Sequence, residues 1–593
     1  MKLRLYFPGL LSLALLLGAW SSPPLGDSPY LMALHLHGSL SEGSSNMDQH
    51  ISQAMFHGYD GIWWTDHGGR QQSFLDHNYV PLDGHYRSIQ HTEENLPSSA
   101  IRVNDVSGIG SATFVSQGQS AGSHCLEVAF DAQLLPTWQR MSFVYDAPNG
   151  WDHTSLLAEP HAYLDFNPVS RRNEAGIMVQ LEYSSEADGI TADGVPRILE
   201  VQIGPGQLPE PKPGIPRVSL PVPNPSGWGT LDLDIAELAT PHWGVAPDLA
   251  FTSFSIHFFA RNDGRVKAQL DEFRLEMKGF TSADIFRAQK DLLESRYAAL
   301  PLVQHVGLEV GGPMEQESLQ YSTRDHLIAL FETFPNELEA FRDGTQTSLD
   351  YPKSGVSWIE EHGGVAILAH IFGASGERQN ADFAYPGQAV ERIIENGVWG
   401  ATGMEVGYPS RGRPLSDHIL AWDLVSEAGF FVTGIGSSDN HSVLPWNLKV
   451  NRWATWVKSE TTQPASQMKA IRQGQAFFGD PHTFAVDGNL VMEEGSGAYR
   501  MGNVVPTAGG VEQIKIAVEG AREDDTLVFL RNGRIQKEWT FAESSIVVHK
   551  QQMVQPGDWV RVEIRNSEGD IYLLSNPVYY IEAGATPPLH RAP

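Results

Sequence analysis

The sequence predicts an α/β protein in which βα units are interrupted by one β-rich region and followed by a second. Strand-like and helix-like patterns alternate over residues 28–70 and return after residue 280, which is typical of parallel sheets. Residues 96–280 instead carry short alternating runs between turn residues, which is typical of a β-sandwich. β character returns over residues 483–583, where Asn532 and Gly533 form a strong hairpin signal.

Composition and charge suit a folded protein that has no nucleic-acid partner. Of the 593 residues, 41% are hydrophobic and 19% are charged, which is typical of globular domains. A formal net charge of −30 would repel a phosphate backbone. Cys125 is the single cysteine, so no intrachain disulfide can form, and any metal site must use histidines and carboxylates.

Residues 1–22 resemble a secretory signal peptide. Lys2 and Arg4 give a positive start, residues 10–17 form an apolar core, and Ala19 and Ser21 flank a cleavage point. The apolar run is too short for a good spanning helix. We therefore expect a secreted or periplasmic protein with no integral membrane segment after signal cleavage, and a retained amphipathic anchor is the alternative.

Two histidines, His35 and His37, end the apolar run of residues 30–34, which predicts a buried strand. Side chains two residues apart on a strand point to the same face, so both imidazoles reach the same point. Such a pair is a good start for a divalent metal site. Two hydrogen-bonded histidines on a half-buried strand are the alternative.

A second cluster follows the next predicted strand. Residues 47–58 show helical spacing, and residues 59–64 predict a strand that runs into Thr65, Asp66 and His67. Strand, helix and strand at this spacing form a βαβ unit, whose strands are parallel. Because the carboxyl ends of such strands share one edge, we expect both clusters to lie together.

These residues resemble the polymerase and histidinol phosphatase (PHP) family of metallohydrolases. Its first motif is similar to His35-x-His37 followed by Ser41-Glu42-Gly43, where Glu42 stands in place of the usual aspartate. Its second motif is similar to Thr65-Asp66-His67. The resemblance implies a PHP-type distorted (β/α)7 barrel, here interrupted by the inserted β-sandwich and followed by an immunoglobulin-like β-sandwich.

Later strands carry residues that match further steps of the family pattern. Glu309 stands in a Gly-x-Glu step, and His326 opens the next strand, with an edge histidine as the alternative. His370 ends a buried strand and is similar to the family's Ala-His-Pro step, although Ile371 replaces the proline. Asp439 and His441 are similar to the closing Gly-Ser-Asp-x-His motif.

The resemblance implies two or three divalent ions of Zn, Mn or Fe, which mixed imidazole and carboxylate ligands suit. It assigns His35, His37, Glu309 and Asp439 to one ion, Glu309, His326 and His370 to a second, and His67, His441 and Glu42 to a third.

Three further residues are candidates for catalytic roles. Asp66 is a candidate to orient His67, with packing at a strand end as an equal alternative. Glu405 is a candidate to orient a metal ligand, or it simply caps its strand. Arg411, with Arg413, is a candidate to hold an anionic substrate, and two solvated loop arginines are the alternative.

The predicted function is metal-assisted hydrolysis of a small-molecule ester, with a phosphoester as the family's commonest substrate type. Residues 574–580 resemble the tail of secreted PHP proteins grouped with carbaryl-type ester hydrolases, which implies a carboxyl ester or carbamate as the alternative substrate.

A metal-stabilised surface protein that binds carbohydrate is the alternative from another class. In that case the jelly-roll-like inserted domain would bind sugar, and four tryptophans are either stacking platforms or core residues: Trp138, Trp151, Trp228 and Trp243.

The sequence thus predicts six segments in chain order. They are a signal peptide (1–22), the first part of the barrel (28–95), the inserted β-sandwich (96–280), the second part of the barrel (281–482), the C-terminal β-sandwich (483–583) and a disordered tail (584–593).

Overall fold

The structure is a computed structural model, and it combines helices with several β-sheets. It describes residues 28–38, 47–66, 85–90, 101–104, 109–115, 125–132, 135–146, 154–155, 159–183, 197–243, 250–278, 282–310, 326–333, 335, 353–372, 386–395, 400–409, 413–441, 445–449, 451–495, 497 and 499–586. The predicted signal peptide and residues 587–593 of the predicted tail lie outside these ranges. No helix within them is both long and apolar enough to cross a membrane.

The chain begins with a parallel βαβ unit, as the sequence predicts. Met32 of the first strand pairs with Gly61 of the second, and Ala33 pairs with Ile62. The helix between them buries Met47, Ile51 and Ala54 against the sheet at helical spacing. The three elements are β1 (Tyr30–Ala33), α1 (Met47–Phe56) and β2 (Gly61–Trp64).

The inserted region is a sandwich of a seven-stranded and a six-stranded sheet with its own hydrophobic core. It contains β3 (His85–Gln90), β4 (Ile101–Asn104), β5 (Ile109–Val115), β6 (Cys125–Asp131), β7 (Leu135–Asp146), β8 (Thr154–Ser155), β9 (His161–Arg172), β10 (Ala175–Tyr183), β11 (Arg197–Ile203), β12 (Arg217–Leu220), β13 (Gly229–Asp234), α2 (Ile235–Trp243), β14 (Ala250–Asn262) and β15 (Arg265–Lys278).

One strand of this sandwich lies before the predicted boundary at residue 96. β3 pairs antiparallel with β15, from Gln90 opposite Phe273 to His85 opposite Lys278. The sandwich therefore begins at or before His85, inside the segment assigned to the barrel from the sequence. Residues 85–90 contain two apolar side chains, Tyr86 and Ile89, at a spacing of three, so no two-residue alternation marks this strand.

The main sheet resumes after the sandwich. Its elements are α3 (Ser282–Leu292) with a π-helical turn (Leu293–Tyr297), β16 (Val303–Val310), β17 (Leu327–Leu330), α4 (Lys353–Glu361), β18 (Val365–Leu368), α5 (Pro386–Glu395), β19 (Gly403–Gly407), α6 (Leu415–Glu427), β20 (Thr433–Gly436), a 3-10 turn (Trp446–Leu448), β21 (Ala454–Val457), α7 (Pro464–Arg472) and β22 (Ala476–Gly479).

The strand order of this sheet is β20-β19-β18-β17-β16-β2-β1-β21-β22, and its pairing is mixed. β17 runs antiparallel to both of its neighbours, and β21 runs antiparallel to β1. Thr455 links β21, near one end of this order, to β20 at the other end. Its hydroxyl accepts the N–H of Gly436 in β20 and donates to the carbonyl of the same residue. The sheet is therefore curled, with strands in both directions, and the distorted (β/α)7 barrel stays a prediction.

The C-terminal region continues the main sheet. β22 pairs with a later strand through Phe477 opposite Ser575 and Phe478 opposite Leu574. One hydrophobic core includes side chains from both sides of this junction. The elements are β23 (Asn489–Glu494), β24 (Val504–Thr507), β25 (Gly510–Glu519), β26 (Thr526–Arg531), β27 (Arg534–Thr540), β28 (Ser545–Val554), β29 (Trp559–Arg565), β30 (Ile571–Ser575) and β31 (Val578–Glu582), of which β23, β25 and β28 form a separate three-stranded sheet.

Candidate metal centre

His35 and His37 lie on the segment that follows β1, and both side chains are fully buried. The N–H of His37 donates to the carbonyl of Asn440 over 3.1 Å, and the N–H of Thr65 donates to the carbonyl of Leu36 over 2.9 Å. This segment is therefore held between the residues that follow β2 and those that follow β20. The two imidazoles share one face, as their spacing predicts.

Four side chains converge on one point and form the first donor group: His35, His37, Glu309 and Asp439. Nε2 of His35 lies 3.0 Å from Nε2 of His37 and 3.2 Å from Oε2 of Glu309. Nε2 of His37 lies 3.0 Å from the same oxygen. Oδ1 of Asp439 lies 3.4 Å from Nε2 of His35 and 3.3 Å from Nε2 of His37.

These distances fit a bound divalent cation. Zinc bonds to imidazole nitrogen and carboxylate oxygen at about 2.0 Å, which places tetrahedral ligand atoms roughly 3.3 Å apart. The measured separations within the group run from 3.0 to 3.4 Å. Two imidazoles and two carboxylates whose lone pairs point to one place repel one another. A cation at that place replaces this repulsion with attraction.

A second donor group shares Glu309 with the first. Oε1 of Glu309 lies 2.5 Å from Nδ1 of His326 and 2.9 Å from Nε2 of His370, while Oε2 faces the first group. All three residues are buried. Glu309 therefore offers one oxygen to each group, which is the arrangement of a carboxylate that bridges two ions.

The antiparallel direction of β17 explains how His326 reaches this point. His326 precedes β17 in the chain, so it lies at the amino end of that strand. Because β17 is antiparallel to β16 and β18, its amino end lies at the edge where their carboxyl ends lie. The carbonyl of His326 accepts the N–H of Ala369 over 3.1 Å, which places His326 beside His370. The sequence places His326 at the start of its strand, and the antiparallel direction brings that start to the edge of the sheet where the other site residues lie.

Two of the converging residues have unusual backbone conformations. His370 follows β18 with a φ of 21°, and Asp439 follows β20 with a φ of 46°. Non-glycine residues rarely adopt positive φ, and such conformations concentrate at functional sites. The positive φ of His370 and of Asp439 therefore helps to direct each side chain toward the donor groups.

Glu405 lies behind the two groups and contacts a side chain of the first and the backbone of the second. Its Oε1 contacts Nδ1 of His35 over 2.6 Å and accepts the hydroxyl of Ser437 over 2.6 Å. Its Oε2 accepts the backbone N–H of His370 over 2.5 Å. Glu405 was predicted as a catalytic residue or a strand cap, and the structure places it on the ring nitrogen of His35 that faces away from the group.

The electrostatic field of this site favours positive charge. Burial acts to lower the pKa of His35, yet the carboxylates of Glu405, Asp439 and Glu309 raise it well above its usual value. Burial acts to raise the pKa of Glu405, yet His35 beside it holds that pKa below its usual value. A site that holds a proton so firmly is one that also attracts a metal cation.

Asp66 supports the segment that carries the first two histidines. It is fully buried, and its Oδ1 accepts the N–H of Gly38 over 3.0 Å. Its other oxygen accepts the side-chain amide of Gln289. Its predicted role of orienting His67 stays a prediction, since His67 lies outside the described residues.

His441 is the described member of the predicted third ligand set. Its ring stacks on that of His37 with centroids 4.0 Å apart and planes at 13°. Its Nδ1 donates to the carbonyl of Asp439 over 3.0 Å. Neither of the two donor groups formed by described residues includes His441. Glu42, His67 and Arg411 lie outside the described residues, so the third ion and the arginine site stay predictions.

The sequence missed one residue that contacts the first group. The hydroxyl of Tyr408 donates to Oδ2 of Asp439 over 2.6 Å, and the side chain is 1% exposed. The one feature of the sequence that indicates Tyr408 is its position directly after β19. Arg413, in contrast, contacts Asp417 over 3.3 Å and lies 5.5 Å from the ring of Phe372.

Three of the four tryptophans that are candidate sugar-stacking platforms lie in the described residues of the sandwich. Trp138 has the guanidinium of Arg261 over its ring at 4.7 Å. Trp243 packs against Tyr183 at 5.1 Å and touches the hydrophobic core. Trp228 is half-buried, and Trp151 lies outside the described residues. Carbohydrate binding by this region stays a prediction.

Comparisons with known proteins complete this description. No family model matches the sequence, and no curated protein matches it. A solved two-domain protein from Bacteroides vulgatus, described as containing a predicted PHP-like metal-dependent phosphoesterase, is similar at 15% identity with a TM-score of 0.25, over 48% of this chain and 78% of its own. A family 12 xyloglucanase from Bacillus licheniformis is similar at 10% identity with a TM-score of 0.23, over 32% of this chain and 100% of its own. A carbohydrate-binding module from Caldicellulosiruptor saccharolyticus is similar at 10% identity with a TM-score of 0.20, over 32% of this chain and 96% of its own.

Proposed function

We propose that this protein is a metal-dependent hydrolase that uses two divalent ions to cleave an ester. The observation that carries the proposal is the division of Glu309 between two buried donor groups, with Oε2 on the first and Oε1 on the second. Mixed imidazole and carboxylate ligands suit Zn, Mn or Fe. A third ion at His441, with His67 and Glu42, is part of the proposal.

The side chains of this chain have separate tasks in the proposed reaction. His35, His37 and Asp439 would hold one ion, His326 and His370 would hold the other, and Glu309 would offer one oxygen to each. Divalent ions in such a site supply a water of lowered pKa and offset negative charge on the attacked oxygen. Glu405 keeps the ring of His35 in place, because it occupies Nδ1 and leaves Nε2 for the ion.

A phosphoester is the proposed substrate class, and a carboxyl ester or carbamate is the second candidate. Paired ions clamp the oxygens of a transferring phosphoryl group well, which agrees with the resemblance to PHP enzymes. The second candidate rests on the resemblance of residues 574–580, because Phe372, Trp63 and Trp64 are all buried and give no exposed apolar surface.

Hydrolysis of nitrophenyl phosphate and nitrophenyl acetate, with and without a chelator, tests this proposal. We expect chelator-sensitive phosphate release that returns when Zn²⁺ or Mn²⁺ is added. Acetate cleavage alone would favour the second candidate. The double variant His370→Ala with Asp439→Ala should retain its circular dichroism spectrum and lose the activity, and full activity in the folded double variant would contradict the proposal.

Export is proposed as well, from the sequence of residues 1–22. Expression of the full chain in a bacterium followed by fractionation tests it. We expect the mature protein outside the cytoplasm with its new N-terminus near Ser21, whereas an intact N-terminus in the cytoplasmic fraction would contradict export.

A further inference from the structure

Tyr408 is a buried side chain whose hydroxyl has one well-defined partner at the candidate metal centre. It follows β19 directly and donates to Oδ2 of Asp439 over 2.6 Å. Its ring centroid lies 5.9 Å from that of His370, a member of the second donor group. Tyr408 therefore lies against both groups without belonging to either.

The two carboxylate oxygens of Asp439 have different surroundings as a result. Oδ2 accepts the tyrosine hydroxyl, while Oδ1 lies 3.4 Å from Nε2 of His35 and 3.3 Å from Nε2 of His37. The terminal torsion of an aspartate has broad minima, so the carboxylate alone does not fix the orientation of its plane. The hydrogen bond from Tyr408 to one oxygen restrains that plane, with the other oxygen toward the two histidines.

The backbone near Asp439 fixes the position of the residue and leaves that torsion to its neighbours. Asp439 has a positive φ of 46°, and the carbonyl of Asn440 accepts the N–H of His37 over 3.1 Å. These features hold the Cα atom beside the first two histidines. They act on the main chain, so the orientation of the carboxylate plane depends on contacts of its oxygens such as that of Tyr408.

We propose that Tyr408 is a positioning residue that keeps Oδ1 of Asp439 turned toward the first donor group. The inference rests on the proposed function, since it concerns a ligand of the proposed metal. A catalytic metal site keeps a position open for water or substrate. A carboxylate whose second oxygen is held by Tyr408 presents one oxygen to the ion and leaves that position open.

A purely structural role for Tyr408 makes a different prediction. Buried tyrosine hydroxyls usually find a partner, and a lost hydrogen bond lowers stability wherever it lies. In that case removal of the hydroxyl would lower the melting temperature of the metal-free protein and leave its affinity for metal unchanged. The positioning role requires that the affinity for metal itself falls.

The variant Tyr408→Phe removes the hydroxyl and keeps the ring. On metal-stripped full-length protein, we expect competition with a chromophoric chelator to show a Zn²⁺ affinity about 10- to 100-fold below that of the wild type. The matched control is Tyr572→Phe, because the hydroxyl of Tyr572 also binds an aspartate, Asp525, in the C-terminal sheet. That variant should bind Zn²⁺ as the wild type does.

The increase in melting temperature on addition of Zn²⁺ gives a second measurement. Because each variant is compared with itself in the absence of Zn²⁺, general losses of stability cancel. We expect a smaller increase for Tyr408→Phe than for the wild type and for Tyr572→Phe. Unchanged affinity and an unchanged increase in Tyr408→Phe would overturn the inference alone. A wild-type protein that binds no Zn²⁺, Mn²⁺ or Fe²⁺ would overturn the proposed function as well.

If Tyr408→Phe does not fold, a second pair of variants replaces it. Tyr408→Gln keeps a side chain that can donate a hydrogen bond, whereas Tyr408→Leu has none. We expect Tyr408→Gln to bind Zn²⁺ more tightly than Tyr408→Leu, and equal affinities would overturn the inference.

Discussion

At His35, burial and nearby negative charge shift the pKa in opposite directions. Its Nε2 faces the first donor group, and its Nδ1 contacts Glu405 over 2.6 Å. A fully buried imidazole would ordinarily be neutral, yet three nearby carboxylates raise its pKa. This concentration of negative charge has an electrostatic cost in the metal-free protein, and a bound cation would offset it.

His257 makes a prediction about pH that is independent of the metal centre. It is buried in the sandwich between the hydroxyls of Ser142 and Ser255, and burial, with Arg140 nearby, lowers its pKa to about 3. Between pH 6.5 and about 3 the unfolded chain binds a proton that the folded sandwich does not. Stability therefore falls as the pH falls, and this residue lowers the free energy of unfolding by about 2 kcal/mol from pH 7 to pH 5.

The variant His257→Gln should remove this dependence, because glutamine can still hydrogen-bond both hydroxyls and does not titrate. Urea unfolding of the sandwich at pH 5 and pH 7 measures the effect. His242→Gln, an exposed histidine of the same region, is the control and should retain the wild-type pH dependence. A His257→Gln variant with the full wild-type loss at pH 5 would contradict this assignment.

At this scale the sequence predicted the residues that carry a motif, and Glu405 behind them, but it missed Tyr408. His35 and His37 share one face because their spacing dictates it, and Asp439 stands in a recognisable Asp-x-His step. Tyr408 has no such pattern, since its partner Asp439 is joined to it only by the fold. The roles of supporting residues depend on tertiary contacts that no local spacing encodes.

Among the elements, β17 determines where His326 of the second donor group lies. Its antiparallel direction brings His326 to the edge where Glu309 and His370 lie at the ends of their strands. From the sequence, the short apolar run predicts a strand but not its direction. Direction depends on the connections before and after the strand, and both connections lie partly outside the described residues.

The contact between β16 and β17 predicts the effect of a small substitution. A Cβ atom at Gly307 would lie 2.9 Å from the carbonyl oxygen of Ala329 and 3.0 Å from a methyl carbon of Leu330. Gly307→Ala must therefore push the two strands apart, at a cost of about 1–3 kcal/mol. Because Glu309 and His326 lie on these strands, we also expect weaker metal binding.

Thermal unfolding and zinc affinity of Gly307→Ala measure both effects. The control is Gly510→Ala in the C-terminal sheet, where an added Cβ atom would meet nothing within 4 Å. We expect the control to match the wild type in both measurements. Wild-type affinity and stability in Gly307→Ala would show that the two strands can adjust without moving the ligands.

At the scale of the whole molecule, the described residues form two large hydrophobic cores, and one of them crosses a predicted domain boundary. One lies inside the sandwich, and the other runs from the curled sheet into the C-terminal region. Arg561 adds a polar link at that junction, since it is buried between Asp423 of α6 and Glu563 of β29. The sequence predicted both β-rich regions from their alternation, but continuity of a sheet across the boundary near residue 483 depends on a pairing between distant strands.

This arrangement predicts how the molecule unfolds. The curled sheet and the C-terminal region should unfold in one calorimetric transition, and the sandwich should unfold in another. Zn²⁺ at about 100 times its dissociation constant should stabilise the first by roughly 2.7 kcal/mol and leave the second unchanged. Equal shifts of both transitions, or separate melting of the C-terminal region, would contradict this division.

The metal content of purified wild-type protein and of Glu309→Gln tests the central claim most directly. Glu309 is the residue that both donor groups share, and glutamine preserves its size while removing its charge. The account predicts at least two divalent ions per chain in the wild type and loss of bound metal in a Glu309→Gln variant that keeps its circular dichroism spectrum. A wild-type protein without bound metal, which also takes up none when Zn²⁺, Mn²⁺ or Fe²⁺ is added, would contradict it, as would a Glu309→Gln variant with the full metal content.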